Sequence, residues 1–202
     1  FRDGRASYIR KWVQTRALHD EIERGKVDLS GIMGPYDLSR VAGHEVESMN
    51  PDYCKDTSNT TLNFHNGKIL SAWYNAGRVY SLDPLTLETA GEQDFSGGLD
   101  TPMNAHGKTD PRTGEFINYG YADFQPWLTY YVISADGQVR HRARIDLPGP
   151  RLPHDTTITP NYTILHDFPL FHDLDVLQRT GHRVVQFRRD LPTRFGVIPR
   201  YG

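Results

Sequence analysis

The sequence predicts an antiparallel all-β protein with one short N-terminal helix. Turn-forming pairs recur at Asn66-Gly67, Ala76-Gly77, Asp83-Pro84, Asp110-Pro111 with Thr113-Gly114, Asp136-Gly137 and Pro148-Gly149-Pro150, a spacing of roughly ten residues that suits short strands joined by tight turns. Between them lie runs rich in Tyr, Phe, Val, Ile and Thr, such as 116–121 and 128–133. Only one stretch reads as a helix. No clean repeat appears at the period of a propeller blade, so periodicity leaves sandwich, barrel and propeller open.

Taken in order, residues 15–24 are rich in Ala, Leu, Glu and Arg and are stopped by Gly25, a C-cap residue, which defines the helix. Asp37 to Ser58 is polar, contains Gly and Asn, and is expected to be a surface excursion. Everything after about residue 60 carries strand and turn signals, including short runs at 156–158 and 195–198. The chain starts at Phe1 without an initiator Met and stops at Gly202 directly after an apolar run. Both ends read as cut, so 1–202 is expected to be an incomplete single domain. An open partial sheet stack of this kind would expose strand edges and aggregate in isolation.

Composition excludes several classes. With 23 Lys+Arg against 25 Asp+Glu, the net charge of −2 gives no electrostatic argument for nucleic acid. No stretch approaches the roughly 18 apolar residues of a membrane-spanning helix, and no basic start precedes an apolar core. Cys54 is the sole cysteine, which rules out an internal disulfide and a Cys-based zinc cage and fits a reducing, cytoplasmic setting. Signatures of a nucleophile elbow, a P-loop, a zincin helix and a dinucleotide-binding turn are all missing. The sequons at Asn59 and Asn161 carry little weight without a secretory context.

Nine histidines remain as the chemical signal. Most are expected to be surface or hydrogen-bonded structural residues, with His65 in a turn and His166 and His172 structural or exposed. His106 and His154 differ, because each shortly precedes a predicted strand and follows Ala105 or Pro153. A histidine there can project into a central cavity.

The run Asn104-Ala105-His106-Gly107-Lys108-Thr109-Asp110-Pro111-Arg112-Thr113-Gly114-Glu115 resembles the carotenoid cleavage oxygenase family. Pro153-His154-Asp155-Thr156-Thr157-Ile158-Thr159-Pro160-Asn161-Tyr162 is a second similar segment. Flanking matches at 1–8, 81–89 and 192–200 keep family order along nearly the whole chain.

The resemblance implies part of a seven-bladed β-propeller that holds one Fe(II) per full-length chain through four histidines. Two of them would be His106 and His154, and the other two would lie in segments that this chain does not reach. It implies a dioxygenase that splits a carbon–carbon double bond of a small apolar polyene with O2, giving aldehyde or ketone products. Four neutral imidazoles suit iron and leave its positive charge and open positions for O2. Thr60 matches the position whose methyl group covers a vacant iron position; the alternative is a strand-edge Thr that packs through its methyl.

Departures from the pattern are Gly107 where relatives usually have Pro, Thr156 where they have Phe, and Tyr74 where many have a Glu that orients an iron-bound His. Loss of such a carboxylate can weaken metal affinity about 10–100-fold, so one alternative is a non-catalytic isoprenoid-binding relative with a decayed iron site. Stilbene-cleaving relatives carry a Lys near Trp73 to grip a phenolate. Its lack moves the expectation from a stilbenoid toward a carotenoid or apocarotenoid. A lipid-dissolved substrate of that kind would bring a peripheral membrane contact. Phe124, Trp127, Tyr130, Tyr131, Phe168 and Phe171 either line an apolar tunnel or pack as core. The sequence carries no reading of the oligomeric state.

Overall fold

A computed structural model of the chain describes all residues except 2, 28, 32–33, 38–54, 74–77 and 123–124. The helix α1 runs Arg16–Arg24. Thr15 caps its start by accepting from the Leu18 N–H, and Gly25, in the left-handed region at φ 66°, closes its end. Strands β1 (Thr61–His65), β2 (Lys68–Ala72), β3 (Tyr80–Leu82) and β4 (Thr89–Glu92) form an antiparallel sheet in sequence order. The β1–β2 turn is Asn66-Gly67 with φ of 46° and 74°, the left-handed pair that a two-residue hairpin demands.

A second four-stranded meander follows from β5 (Lys108–Thr109), β6 (Phe116–Tyr121), β7 (Leu128–Ile133) and β8 (Val139–Ile145). The third sheet contains β9 (Thr157–Ile158) and β10 (Tyr162–Asp167), and it is completed by β13 (Arg194–Pro199) in the order β13-β10-β9. Between β10 and β13 the chain makes a ribbon of β11 (Leu170–His172) and β12 (Val185–Phe187) around the helix α2 (Leu174–Thr180). The all-β expectation holds, and the predicted strands at 116–121 and 128–133 match β6 and β7 to the residue.

The sheets succeed one another as blades. β1 lies against β5, where the Thr109 hydroxyl donates to the Phe64 carbonyl at 3.1 Å. Every residue of β6 and β7 is buried, because the second sheet is covered on both faces. On one face Phe116, Tyr131 and Ile133 join Leu70, Val79, Phe95 and Met103 of the first sheet's side. On the other, Ile117, Tyr130 and Val132 meet Ile158 and Ile198, while Tyr119 and Leu128 meet Leu165. Double coverage explains why these strands read as continuous aromatic and β-branched runs and not as an alternation. Among the described residues no helix is long and apolar enough to cross a membrane.

Two expectations are corrected. A second helix, α2, exists; at seven residues, with a β-branched Val176, it is too short to show an amphipathic period, although Asp173 as N-cap and Gly181 as C-cap mark its ends. The 37–58 stretch, of which 38–54 lie outside the described residues, is not wholly a surface excursion. Asp56 is buried and accepts from the Ala17 N–H at 2.8 Å and from the Tyr80 hydroxyl, which docks α1 on the first sheet.

His65 ends β1 and is buried between Phe95 and Phe116, its Nε2 lying 3.0 Å from the Ser134 carbonyl. Asn66 Nδ2 donates to the Asp136 carbonyl at 3.0 Å beside it, so the hairpin turns of two sheets are tied together. Burial lowers the His65 pKa below the ordinary 6.5, against the raising effects of the Ser134 carbonyl and Asp136. The unfolded chain therefore binds this proton more readily, and the stability contributed above about pH 6.5 is lost as pH falls through the folded value. Urea midpoints should decline from pH 7 to pH 5, with a smaller decline in His65→Gln.

Candidate metal centre

The segment ahead of β5 is held along the edge of β6. Thr101 to Ala105 are all buried, and the Asn104 N–H donates to the Tyr119 carbonyl at 2.7 Å. Asn104 then uses its side chain twice: Oδ1 accepts from the His106 backbone N–H at 2.6 Å and Nδ2 donates to the Tyr119 hydroxyl at 3.0 Å. His106 itself is half-buried. Gly107 sits flush on the next strand, for a Cβ there would lie 2.5 Å from two Phe116 ring carbons and 2.8 Å from Asn118 Nδ2. This is the physical reason that neither Ala nor a ring such as Pro suits the position. Gly107→Ala should cost about 1–3 kcal/mol, read as a lowered urea midpoint.

The segment ahead of β9 is pinned by Thr156, whose hydroxyl donates to the Ile164 carbonyl at 3.0 Å, and by buried Arg151, whose Nε donates to Asp167 at 2.7 Å. This brings the exposed His154 to His106, with ring centroids 4.7 Å apart and planes inclined at 39°. The His154 backbone N–H donates to His166 Nε2 at 2.8 Å. His166 in turn stacks on Phe168 at 4.0 Å. Lys108 Nζ and Asp155 Oδ1, 2.6 Å apart, join the two segments again; both side chains are well exposed, so the pair contributes at most about 1 kcal/mol.

Electrostatics favour neutral imidazole. Burial lowers the His106 pKa; the Asp155 carboxylate raises it, while His154 and Lys108 lower it further. His166 is also lowered by burial. For Asp155 burial acts upward, but the Lys108 ammonium and the Thr156 N–H outweigh it and the carboxyl stays below its usual range. Metal–imidazole bonds of about 2.1 Å allow two rings at this separation to share one ion. Both the donor type and the spacing thus fit an iron ion. Among the described residues no group of three or more His, Cys, Asp or Glu is arranged to hold a metal.

Thr60 stands at the matching place in the first sheet, immediately ahead of β1, and is exposed. Its N–H and hydroxyl both donate to Asn59 Oδ1, at 2.7 and 3.0 Å, which leaves its methyl group uncommitted. Thr60, His106 and His154 therefore all occupy the approach to the first strand of three successive sheets. Tyr74, where the resemblance places a departure from Glu, and Phe124 lie outside the described residues. Trp73 follows β2 and is half-buried.

The aromatic residues resolve mostly as packing. Tyr130 and Tyr131 are buried core residues, their hydroxyls bonded to Thr163 and Thr101 respectively; burial and the Asp100 bond push the Tyr131 pKa up to about 12. Phe171 lies under the Arg151 guanidinium, 4.0 Å from ring centroid to charge centre. Trp127 lines an open surface cavity of about 650 Å³ with Asp100, Arg144 and Asp146.

The whole chain, residues 1–202, matches the retinal pigment epithelial membrane protein family. The chain belongs to this family. It is 34% identical over its full length to the carotenoid 9,10(9',10')-cleavage dioxygenase of Crocus sativus, of which it covers 38%, and 30% identical over its full length to the isoeugenol monooxygenase of Pseudomonas nitroreducens, of which it covers 41%. Among solved structures, Pseudomonas brassicacearum lignostilbene dioxygenase superposes with a TM-score of 0.75 at 30% identity, covering 94% of this chain and 38% of that one. The chain thus spans about two fifths of the length of the curated relatives that it matches. Family membership fixes the fold as part of a propeller, and the relatives carry oxygenase names.

From sequence His166 reads as structural or exposed, and Asn104 and Tyr119 are given no role. Asn104, two residues ahead of His106, carried a readable signal as a side chain that accepts from the N–H two positions on. His166 carried none, because its partner is twelve residues away across a strand pairing.

Proposed function

We propose that the protein carrying this chain is a non-haem iron(II) dioxygenase that cleaves a carbon–carbon double bond of a carotenoid or apocarotenoid with O2, giving two carbonyl products. The single observation that carries this reading is the His106–His154 pair, two imidazoles delivered from successive sheets to within 4.7 Å. In this reading His106 and His154 hold iron together with two histidines supplied from outside residues 1–202. Iron(II) bound there would supply the position at which O2 is taken up and activated.

The chain's own groups do the rest. Asn104 and His166 fix the backbones of the two ligands through their N–H groups. Lys108 neutralises Asp155, which limits the field that would otherwise draw a proton onto His106. In this reading Thr60 would cover an open iron position with its methyl group, its hydroxyl being held by Asn59. Trp73 offers an apolar ring and no cation to pair with a phenolate, which supports a polyene over a hydroxystilbene. Oxygen uptake measured with an apocarotenoid and with a hydroxystilbene tests the choice. Uptake with the stilbene alone would overturn the substrate assignment, and uptake with neither would overturn the activity.

A further inference from the structure

We infer that His166 is a positioning residue for His154, working as a hydrogen-bond acceptor; the inference rests on the reading of His154 as an iron ligand. The bond from the His154 N–H to His166 Nε2 is 2.8 Å, a good length for N–H to a neutral acceptor. An acceptor Nε2 requires that the ring carry its proton on Nδ1. The ring is not free to leave, because Phe168 stacks on it at 4.0 Å and an inclination of 21°, and Phe195 packs edge-on against Phe168 at 6.2 Å and 90°. Phe195 lies on β13, paired with His166 across the β10–β13 ladder. A row of three rings thus runs from β13 to the backbone of His154.

The same device serves the other candidate ligand. Asn104 Oδ1 takes the His106 N–H at 2.6 Å. Each candidate ligand has its own amide seated on a side-chain acceptor. The backbone of His154 has no strand pairing of its own, since β9 begins only at Thr157. The bond to His166 is what fixes its N–H direction.

The test uses the full-length protein with cobalt(II) as a probe, read by affinity and by its visible absorption bands, in wild type, His154→Ala, His166→Phe and His166→Gln. The phenyl ring keeps the stack and removes the acceptor, and the amide oxygen of Gln restores an acceptor. His166→Phe should weaken cobalt affinity about tenfold, the lower end of the range for groups that orient a ligand, and shift the bands; His166→Gln should recover most of both. Unchanged affinity and bands in His166→Phe would overturn the positioning role, as would a loss that Gln fails to restore. Wild type that binds no cobalt, or His154→Ala that binds it as well as wild type, would overturn the underlying ligand reading and this inference with it.

Discussion

His154→Ala and His106→Ala are each expected to strip iron from the full-length protein and to abolish oxygen uptake. Changes to groups that merely orient a ligand cost about 10–100-fold in metal affinity, and removal of a donor should exceed that. The two rings lie 4.7 Å apart on segments that are anchored separately, His106 to β6 through Asn104 and His154 to β10 through His166. One substitution should therefore leave the other segment in place, so that the loss is one of chemistry and not of fold. Iron per chain by elemental analysis, uptake with an apocarotenoid, and the urea midpoint check the three parts of this expectation. Retained turnover in either variant would sink the assignment.

Arg200→Met is expected to produce a large loss of stability, about 2–3 kcal/mol, because it removes charge-assisted hydrogen bonds at a buried site. Arg200, 2% exposed, reaches from the end of β13 into the turn ahead of β6, where its Nη1 lies 2.8 Å from Asp110 Oδ2 and 3.4 Å from Glu115 Oε2. It also donates to the Thr159 carbonyl. Arg112 and Arg140 hold the same carboxylates from the exposed side, and Tyr201 donates its hydroxyl to Glu115. The carboxyl of Asp110 is held well below its usual range, chiefly by the Arg112 side chain and N–H and then by Arg200. A carboxyl depressed on folding contributes its full stability above its unfolded pKa of about 4, and that contribution is lost progressively as pH falls from there through the folded value. Urea unfolding of wild type and Arg200→Met, each at pH 7 and pH 3, checks both the size and the acid loss.

Most of the sheet order was legible because turns leave local marks. Asn66-Gly67, Asp83-Pro84 and Asp136-Gly137 each declare a hairpin by residue type. β6 and β7 were readable for the same reason and from their β-branched and aromatic content. α2 was not, since a seven-residue helix has too few turns for a period and is held by tertiary contacts and caps. For the site, the expectation that His106 and His154 act together came from long motifs, and the structure brings the two rings to 4.7 Å. Much of the motif around His106 proves to be structural: Asp110 and Glu115 serve the buried Arg200. The contact of His166 with the His154 N–H joins residues twelve apart in the chain, which no local pattern encodes. Asp56 was hidden similarly, being a polar residue in a polar stretch whose partners, Ala17 and Tyr80, lie 39 and 24 residues away.

The burial of β6 and β7 on both faces also sets how the molecule opens. Their amide protons can meet deuterium only when the sheets on either side part together, so they should exchange at rates set by global unfolding. Those of β8, half-exposed with Arg140, Arg142 and Arg144 on its outer side, should exchange far sooner through local fraying. The histidine segment ahead of β5 is hydrogen-bonded to β6 itself. Its mount should thus be among the slowest to open of the described strands, and the spacing of the two histidines should hold steady through motions that loosen the rim.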